Sequence, residues 1–251
     1  MTFSTKKVAV VTGGAEGLGA EICRFLARDG ADIAVWDRNM TLAEQVAAEL
    51  RDTGVNAIAY EVDVSSKAQV DAAALKVRSE LGPVGIIVNN AGISPEKDFV
   101  DITEEDWDRV FDINAKGTFF CTQAVIGDMI DAGWGRVINI SSSSAQSGAP
   151  RMVHYAATKG AVIAYTKALA REVASMGITV NNIPPSTVYT SGLKSVEARL
   201  GSIDEYVKNT IPVQRVGQPA DIANAVSFLA SEASSYVTGV TLSVNGGRYM
   251  Q

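Results

Sequence analysis

Seven short, apolar, β-rich runs punctuate the chain, at 7–12 (KVAVVT), 32–37 (DIAVWD), 57–63 (AIAYEVD), 84–89 (VGIIVN), 136–141 (RVINIS), 178–183 (ITVNNI) and 240–244 (VTLSV). Stretches with helical spacing lie between them. Residues 17–29 place Leu18, Ile22, Phe25 and Leu26 on one face, residues 41–52 use Leu42, Val46 and Leu50, and residues 67–80 use Val70, Leu75 and Val77. Longer helical patterns fill 104–131 and 155–175, and a shorter one fills 219–231. Strands that are apolar nearly throughout, alternating with helices, predict a parallel sheet covered on both faces. No repeat or linker divides the 251 residues, so a single domain over 1–251 is expected. The segment 186–214, after Pro184-Pro185, breaks the rhythm and reads as a flexible loop over the carboxyl edge of the sheet.

Composition narrows the chemistry. A net charge of −6 without a basic run argues against nucleic acid or an anionic membrane as partner. Two cysteines inside helical patterns make no disulfide framework, and together with an N-terminus lacking an apolar signal core they predict a cytoplasmic protein. No apolar run approaches a membrane span. One histidine, His154, and two cysteines are too few for a catalytic zinc site unless carboxylates join, so no metal is expected. A Ser-His-Asp hydrolase would need His154, and no G-x-S-x-G elbow is present. If the chain is an enzyme, its acid/base is Tyr, Lys, Asp or Glu.

The first run feeds directly into Thr12-Gly-Gly-Ala-Glu-Gly-Leu-Gly19, whose spacing is G-x-x-x-G-x-G rather than the usual G-x-G-x-x-G. Glycines there let backbone N–H groups reach a pyrophosphate at a helix N-terminus, although a plain glycine turn reads equally well locally. The second strand ends in Trp36-Asp37-Arg38. An acidic side chain at that place binds both adenosine ribose hydroxyls and repels a 2′-phosphate, which favours NAD over NADP; Arg38 is the counter-signal, since a guanidinium accepts a 2′-phosphate. Asp63-Val64, ending the third strand, suits the adenine edge, and Asn89-Asn-Ala-Gly92, ending the fourth, suits backbone contact with a cofactor or an Asx turn. Tyr155-Ala-Ala-Thr-Lys159 puts a phenol and an ammonium on one helix face, with Ser142 thirteen residues upstream. A neighbouring Lys⁺ and a cationic nicotinamide favour the phenolate and should lower the tyrosine pKa.

The ordered set T-G-x-x-x-G-x-G, N-N-A-G and S-x12-Y-x-x-x-K resembles the classical short-chain dehydrogenase/reductase family over essentially the whole chain. The resemblance implies an α/β, single-domain, Rossmann-like doubly wound parallel sheet of seven strands with helices on both faces. It implies that Ser142 polarises the substrate oxygen, Tyr155 transfers the proton, and Lys159 binds the nicotinamide ribose and tunes Tyr155. It also implies that Asn114, in Phe111-Asp-Ile-Asn-Ala115, holds a water feeding the relay. The implied cofactor set is Gly13, Glu16, Gly17, Leu18, Gly19, Asp37, Arg38, Asp63, Val64, Asn89, Ala91, Gly92, Tyr155, Lys159, Pro185, Val188 and Thr190. Ser186 stands where the family usually has glycine, which narrows the freedom of that loop and adds a hydroxyl. Ser94, Ser144 and Gln146 are expected in the substrate pocket, with no charged anchor; His154 is a weaker candidate for substrate contact.

The resulting expectation is an oxidoreductase moving a hydride between NAD(H) and a secondary alcohol or ketone. The alternatives are an NADPH-linked 3-oxoacyl-acyl-carrier-protein reductase and a non-catalytic nucleotide-binding sensor on the same fold. The resemblance further implies a homotetramer, with helices 104–131 and 155–175 in one interface and the C-terminal strand and tail in another.

Overall fold

Alternate residues of each apolar run leave the backbone on opposite sides, and the two sets feed two cores. The computed structural model of the chain describes residue 3, residues 5–190 and residues 203–250. Its six strands are β1 (Lys7–Thr12), β2 (Ala31–Asp37), β3 (Ala57–Glu61), β4 (Ile86–Asn89), β5 (Gly135–Ile140) and β6 (Ile178–Ile183). They form one sheet in the order β3-β2-β1-β4-β5-β6, every pair parallel. The helices are α1 (Gly17–Arg28), α2 (Met40–Arg51), α3 (Lys67–Glu80), α4 (Glu104–Phe111), α5 (Gly117–Ala132), α6 (Ser144–Ser147), α7 (Val153–Val173), α8 (Ile203–Thr210) and α9 (Pro219–Ala230).

On one face, Val11, Val35 and Val88 pack against Ile22 and Leu26 of α1, Leu50 of α2, and Val226 and Leu229 of α9. On the other, Val10, Trp36 and Ile87 meet Val70 and Val77 of α3, Val125 and Met129 of α5, and Val173 of α7. Fully burying one such Leu, Ile or Val stabilises by roughly 1.5–3 kcal/mol, so strands buried on both faces hold the sheet. The chain is therefore a Rossmann-like, doubly wound α/β fold. The strand order reverses direction between β1 and β4, and a crevice opens at the carboxyl ends of those two strands.

The structure departs from the sequence expectations at three places. Six strands form among the described residues, not seven: the run at 240–244 makes a single bridge, Asn182 to Thr241. The reason lies in side chains that take over the ladder. Val180 N–H donates to the Thr238 hydroxyl at 3.1 Å, and Val240 N–H donates to Asn181 Oδ1 at 3.2 Å. Backbone bonds from Gly239 and Leu242 still cover the β6 edge. Secondly, Leu75 is 64% exposed, because Ala73 and Ala74 occupy the inner face of α3 beside Val70 and Val77. Thirdly, the pattern over 104–131 is not one continuous α-helix. A π-helical turn, Asp112–Lys116, separates α4 from α5. Of the expected loop 186–214, residues 191–202 lie outside the described residues, and 203–210 form α8.

Candidate functional site

Close packing fixes the glycine loop between β1 and α1. Gly13 and Gly17 have φ of +63° and +52°, which glycine adopts without a Cβ penalty. A Cβ on Gly19 would stand 1.9 Å from the Gly13 carbonyl oxygen, so only glycine lets α1 start this close under the loop. The far side of the loop is held through Thr12 and Asn90, neither of which the sequence reading placed in the site, and through Ala91, which it did. Thr12 Oγ1 accepts from Asn90 N–H and Ala91 N–H, each at 3.0 Å. Asn90 Nδ2 donates to the carbonyls of Thr12 and Gly13, each at 3.0 Å. Asn90 and Ala91 thus clamp the loop. Asn89 does not face it: its Nδ2 donates inward to Thr122 Oγ1 at 2.9 Å and Asn139 Oδ1 at 2.8 Å. Strand alternation explains the difference, because adjacent residues point opposite ways.

Asp37, at the end of β2, reaches the same loop. Its carboxylate accepts from Ala15 N–H at 3.1 Å and Asn39 N–H at 2.9 Å. Glu16, exposed, immediately precedes α1 and adds no positive charge there. Arg38 leans toward Asp63, 3.8 Å away, with its side chain 67% exposed, a separation and exposure at which an ion pair is worth little. The Ser65 hydroxyl and N–H on Asp63 hold its carboxyl below the ordinary value. Val64 packs where a Cβ on Gly117 would meet it at 2.8 Å, which seats the end of β3 against α5.

Beyond the glycine loop, at the carboxyl ends of β4 and β5, a cavity of about 590 Å³ is lined by Gly92, Ser142, Tyr155, Lys159, Pro185 and Val188, among others. Leu18, Ser94, Ser144 and Thr190 line it as well. The Ser142 hydroxyl accepts from Ser144 Oγ at 2.8 Å and Ser144 N–H at 3.2 Å, and it stands on the same cavity as the Tyr155 phenol, where it favours the phenolate. Lys159 Nζ lies 5.8 Å from the Tyr155 ring centroid and donates to the Ile140 carbonyl at 2.9 Å. Ile140 ends β5, so one strand end anchors both the ammonium and, two residues later, Ser142. Burial brings the Lys159 pKa down to about 8. Burial also pushes the Tyr155 phenol up, against the opposing effect of Ser142, so the protein alone does not produce the lowering expected from the sequence.

Asn114 sits fully buried in the π-helical turn. Such turns recur at functional sites because the extra residue redirects a side chain. Here Oδ1 accepts from Ile93 N–H at 2.9 Å, while Nδ2 donates to the Ile93 carbonyl at 2.9 Å and Thr158 Oγ1 at 3.1 Å. The amide therefore ties the loop after β4 to α7. A Cβ on Gly92 would lie 3.0 Å from Asn114 Oδ1 and 3.4 Å from Lys159 Nζ, so the backbone passes close to both. Gln146 and His154 do not line the cavity. Gln146 turns its amide inward from α6, and His154 is fully buried on α7.

A family model described as enoyl-(acyl carrier protein) reductase matches residues 13–248. Nodulation protein G of Azospirillum brasilense is 40% identical over 97% of this chain and 98% of its own. The 3-oxoacyl-acyl-carrier-protein reductase FabG of Staphylococcus aureus is 39% identical over 97% and 98%, respectively. The acetoacetyl-CoA reductase of Cupriavidus necator is 39% identical over 98% and 99%. The chain belongs to the short-chain dehydrogenase/reductase family. It is thus an oxidoreductase with a Rossmann-like NAD(P)-binding fold. Two of these short-chain relatives carry the names of ketoacyl reductases, not of alcohol dehydrogenases. The described residues include no helix long and apolar enough to cross a membrane.

The crevice suits the dinucleotide of this family. Strand ends clamp a positive-φ glycine loop, and a Cβ on Gly17 would meet only Thr190, at 3.7 Å. Beside the short-chain motif residues, the cavity holds Tyr206, Arg151 and Arg248, none of which the sequence pointed to. The one signal for Arg248 is its place directly after Asn245-Gly-Gly247.

Proposed function

We propose that this protein interconverts a 3-oxoacyl thioester and the corresponding 3-hydroxyacyl thioester, with NAD(H) as the redox partner. The observation that carries the reading is the meeting of Ser142, Tyr155 and Lys159 on one cavity at the mouth of the glycine-loop crevice. Names of relatives support the ketone: 3-oxoacyl-acyl-carrier-protein and acetoacetyl-CoA are both 3-oxoacyl thioesters.

In the reductive direction Ser142 hydrogen-bonds the ketone oxygen, and Tyr155 delivers its phenolic proton to that oxygen as negative charge develops. Lys159⁺ stabilises the phenolate left behind, and Asn114 keeps the loop at Gly92 and the first turns of α7 in register. The hydride for the carbonyl carbon would come from a nicotinamide dinucleotide when one is bound. Ser186, Val188 and Thr190 border the same space, and the glycine loop and Asp37 would hold the pyrophosphate and adenosine ribose.

The test is Tyr155→Phe, assayed on acetoacetyl thioesters by NADH absorbance. Turnover should fall roughly 10²–10⁴-fold while NAD binding, read by calorimetry, persists. Near-normal turnover would remove Tyr155 from the mechanism.

A second reading keeps the ketone and exchanges NAD(H) for NADP(H). Arg38 favours it, since its largely exposed guanidinium stands at the adenosine edge. The Asp37 carboxylate, with no cation between positions 13 and 17 to offset it, favours NAD(H). A higher kcat/KM with NADPH than with NADH would decide for the second reading.

A further inference from the structure

The C-terminal turn carries a guanidinium to the cavity that holds Ser142 and Tyr155. Asn245 is buried; its Oδ1 accepts from Gly247 N–H at 3.0 Å and its Nδ2 donates to the Tyr249 carbonyl at 2.9 Å. Gly246 and Gly247 have φ of +66° and +83°. A Cβ on Gly246 would lie 2.7 Å from Ile211, and one on Gly247 would lie 3.2 Å from Pro212. The turn therefore lies flat on the segment that follows α8, and Arg248 follows it.

Arg248 lines the cavity that holds Ser142 and Tyr155. Its Nη1 donates to Ser186 Oγ at 3.2 Å, and its guanidinium carbon lies 5.5 Å from the Tyr206 ring centroid. Both supports are neutral. The cavity's other cations are occupied: Lys159 donates to the Ile140 carbonyl, and Arg151 pairs with Asp98 at 3.1 Å. Glu96, which also lines the cavity, has a partner of its own. Among the described residues Arg248 makes no ion pair with a carboxylate. A guanidinium offers five donors in a planar fork that matches a carboxylate or phosphate.

We propose that Arg248, aimed by Ser186 and Tyr206, binds an anionic oxygen group of the substrate, a carboxylate or a phosphate, and so favours charged over neutral ketones. This rests on the ketone-reductase reading and deepens it. It also gives Ser186 a purpose: glycine at that position has no hydroxyl to hold Arg248.

The experiment compares wild type, Arg248→Met and Arg248→Lys on four ketones. Acetoacetate and its neutral methyl ester probe a carboxylate. Acetoacetyl-CoA and acetoacetyl-N-acetylcysteamine, a thioester without phosphate, probe a phosphate. For one pair, Arg248→Met should lower the ratio of kcat/KM for the anionic over the neutral member by roughly ten- to hundredfold, mostly through KM, with partial recovery in Arg248→Lys. The pair that responds names the source of the anion. Unchanged ratios in both pairs, including equal losses on all four ketones, overturn the proposal. If wild type turns over none of the four, the reductase reading fails; calorimetric titration of acetoacetate and acetoacetyl-CoA in the presence of NAD then tests Arg248 separately. Affinities that do not differ between wild type and Arg248→Met overturn it there.

Discussion

Lys159 shows how one side chain ties the candidate chemistry to stability. Its pKa in the folded protein is about 8, against 10.5 for an ordinary lysine, because burial disfavours the ammonium. Below about pH 8 the folded and unfolded chains both hold the proton, and the folded state bears the full cost of the buried charge. Between pH 8 and 10.5 the unfolded chain binds more protons, so this group's contribution to stability rises with pH. Lys159→Met should therefore raise Tm relative to wild type more at pH 7 than at pH 10, which thermal unfolding at the two pH values checks. A gain that is equal or larger at pH 10 would contradict the burial argument. The Tyr155/Lys159 pair was legible in the sequence because an i, i+4 spacing on a helix is itself a distance. Whether burial or a neighbouring charge dominates their titration was not legible, since that depends on what closes over α7.

At the scale of elements, the glycine loop and the π-helical turn pose opposite problems for a sequence reader. The loop was readable: glycines at 13, 17 and 19 after a buried strand restrict the backbone locally. Gly19→Ala would force its Cβ into the Gly13 carbonyl. It should cost about 1–3 kcal/mol of stability by denaturant titration and weaken NAD(P) binding at least tenfold by calorimetry, through displacement of the N-terminus of α1. Retention of both would show that the loop relaxes freely. The turn over 112–116 was not readable, because no residue type demands one extra residue in a helical turn. It exists because Asn114 satisfies both backbone groups of Ile93 from inside the fold. The seventh run failed for a related reason. Its apolar spacing is that of a strand, but Asn181 and Thr238 side chains replace ladder bonds along the β6 edge.

Across the whole molecule, the candidate site is built from three distant parts of the chain: the ends of β4 and β5 with α7, the 185–190 segment with α8, and the C-terminal turn. Asn245→Ala removes the bonds that shape that turn. On the proposed function it should raise KM for the 3-oxoacyl substrate severalfold while leaving the affinity for NAD(P) nearly unchanged, as paired kinetics and calorimetry would show. An equal loss of both would mean that the turn supports the fold as a whole and not the substrate end. The sequence by itself determined the parallel sheet, its two covered faces, the glycine loop and the order of the Ser142, Tyr155 and Lys159 motif, because each follows from short-range spacing along a strand, a turn or a helix. Only the tertiary structure decided that Asn90 rather than Asn89 clamps the loop, that Gln146 turns inward, and that Tyr206 and Arg248 join the cavity. Those outcomes depend on which residues meet after the chain has crossed the sheet, and contacts between segments tens of residues apart leave no local pattern to read.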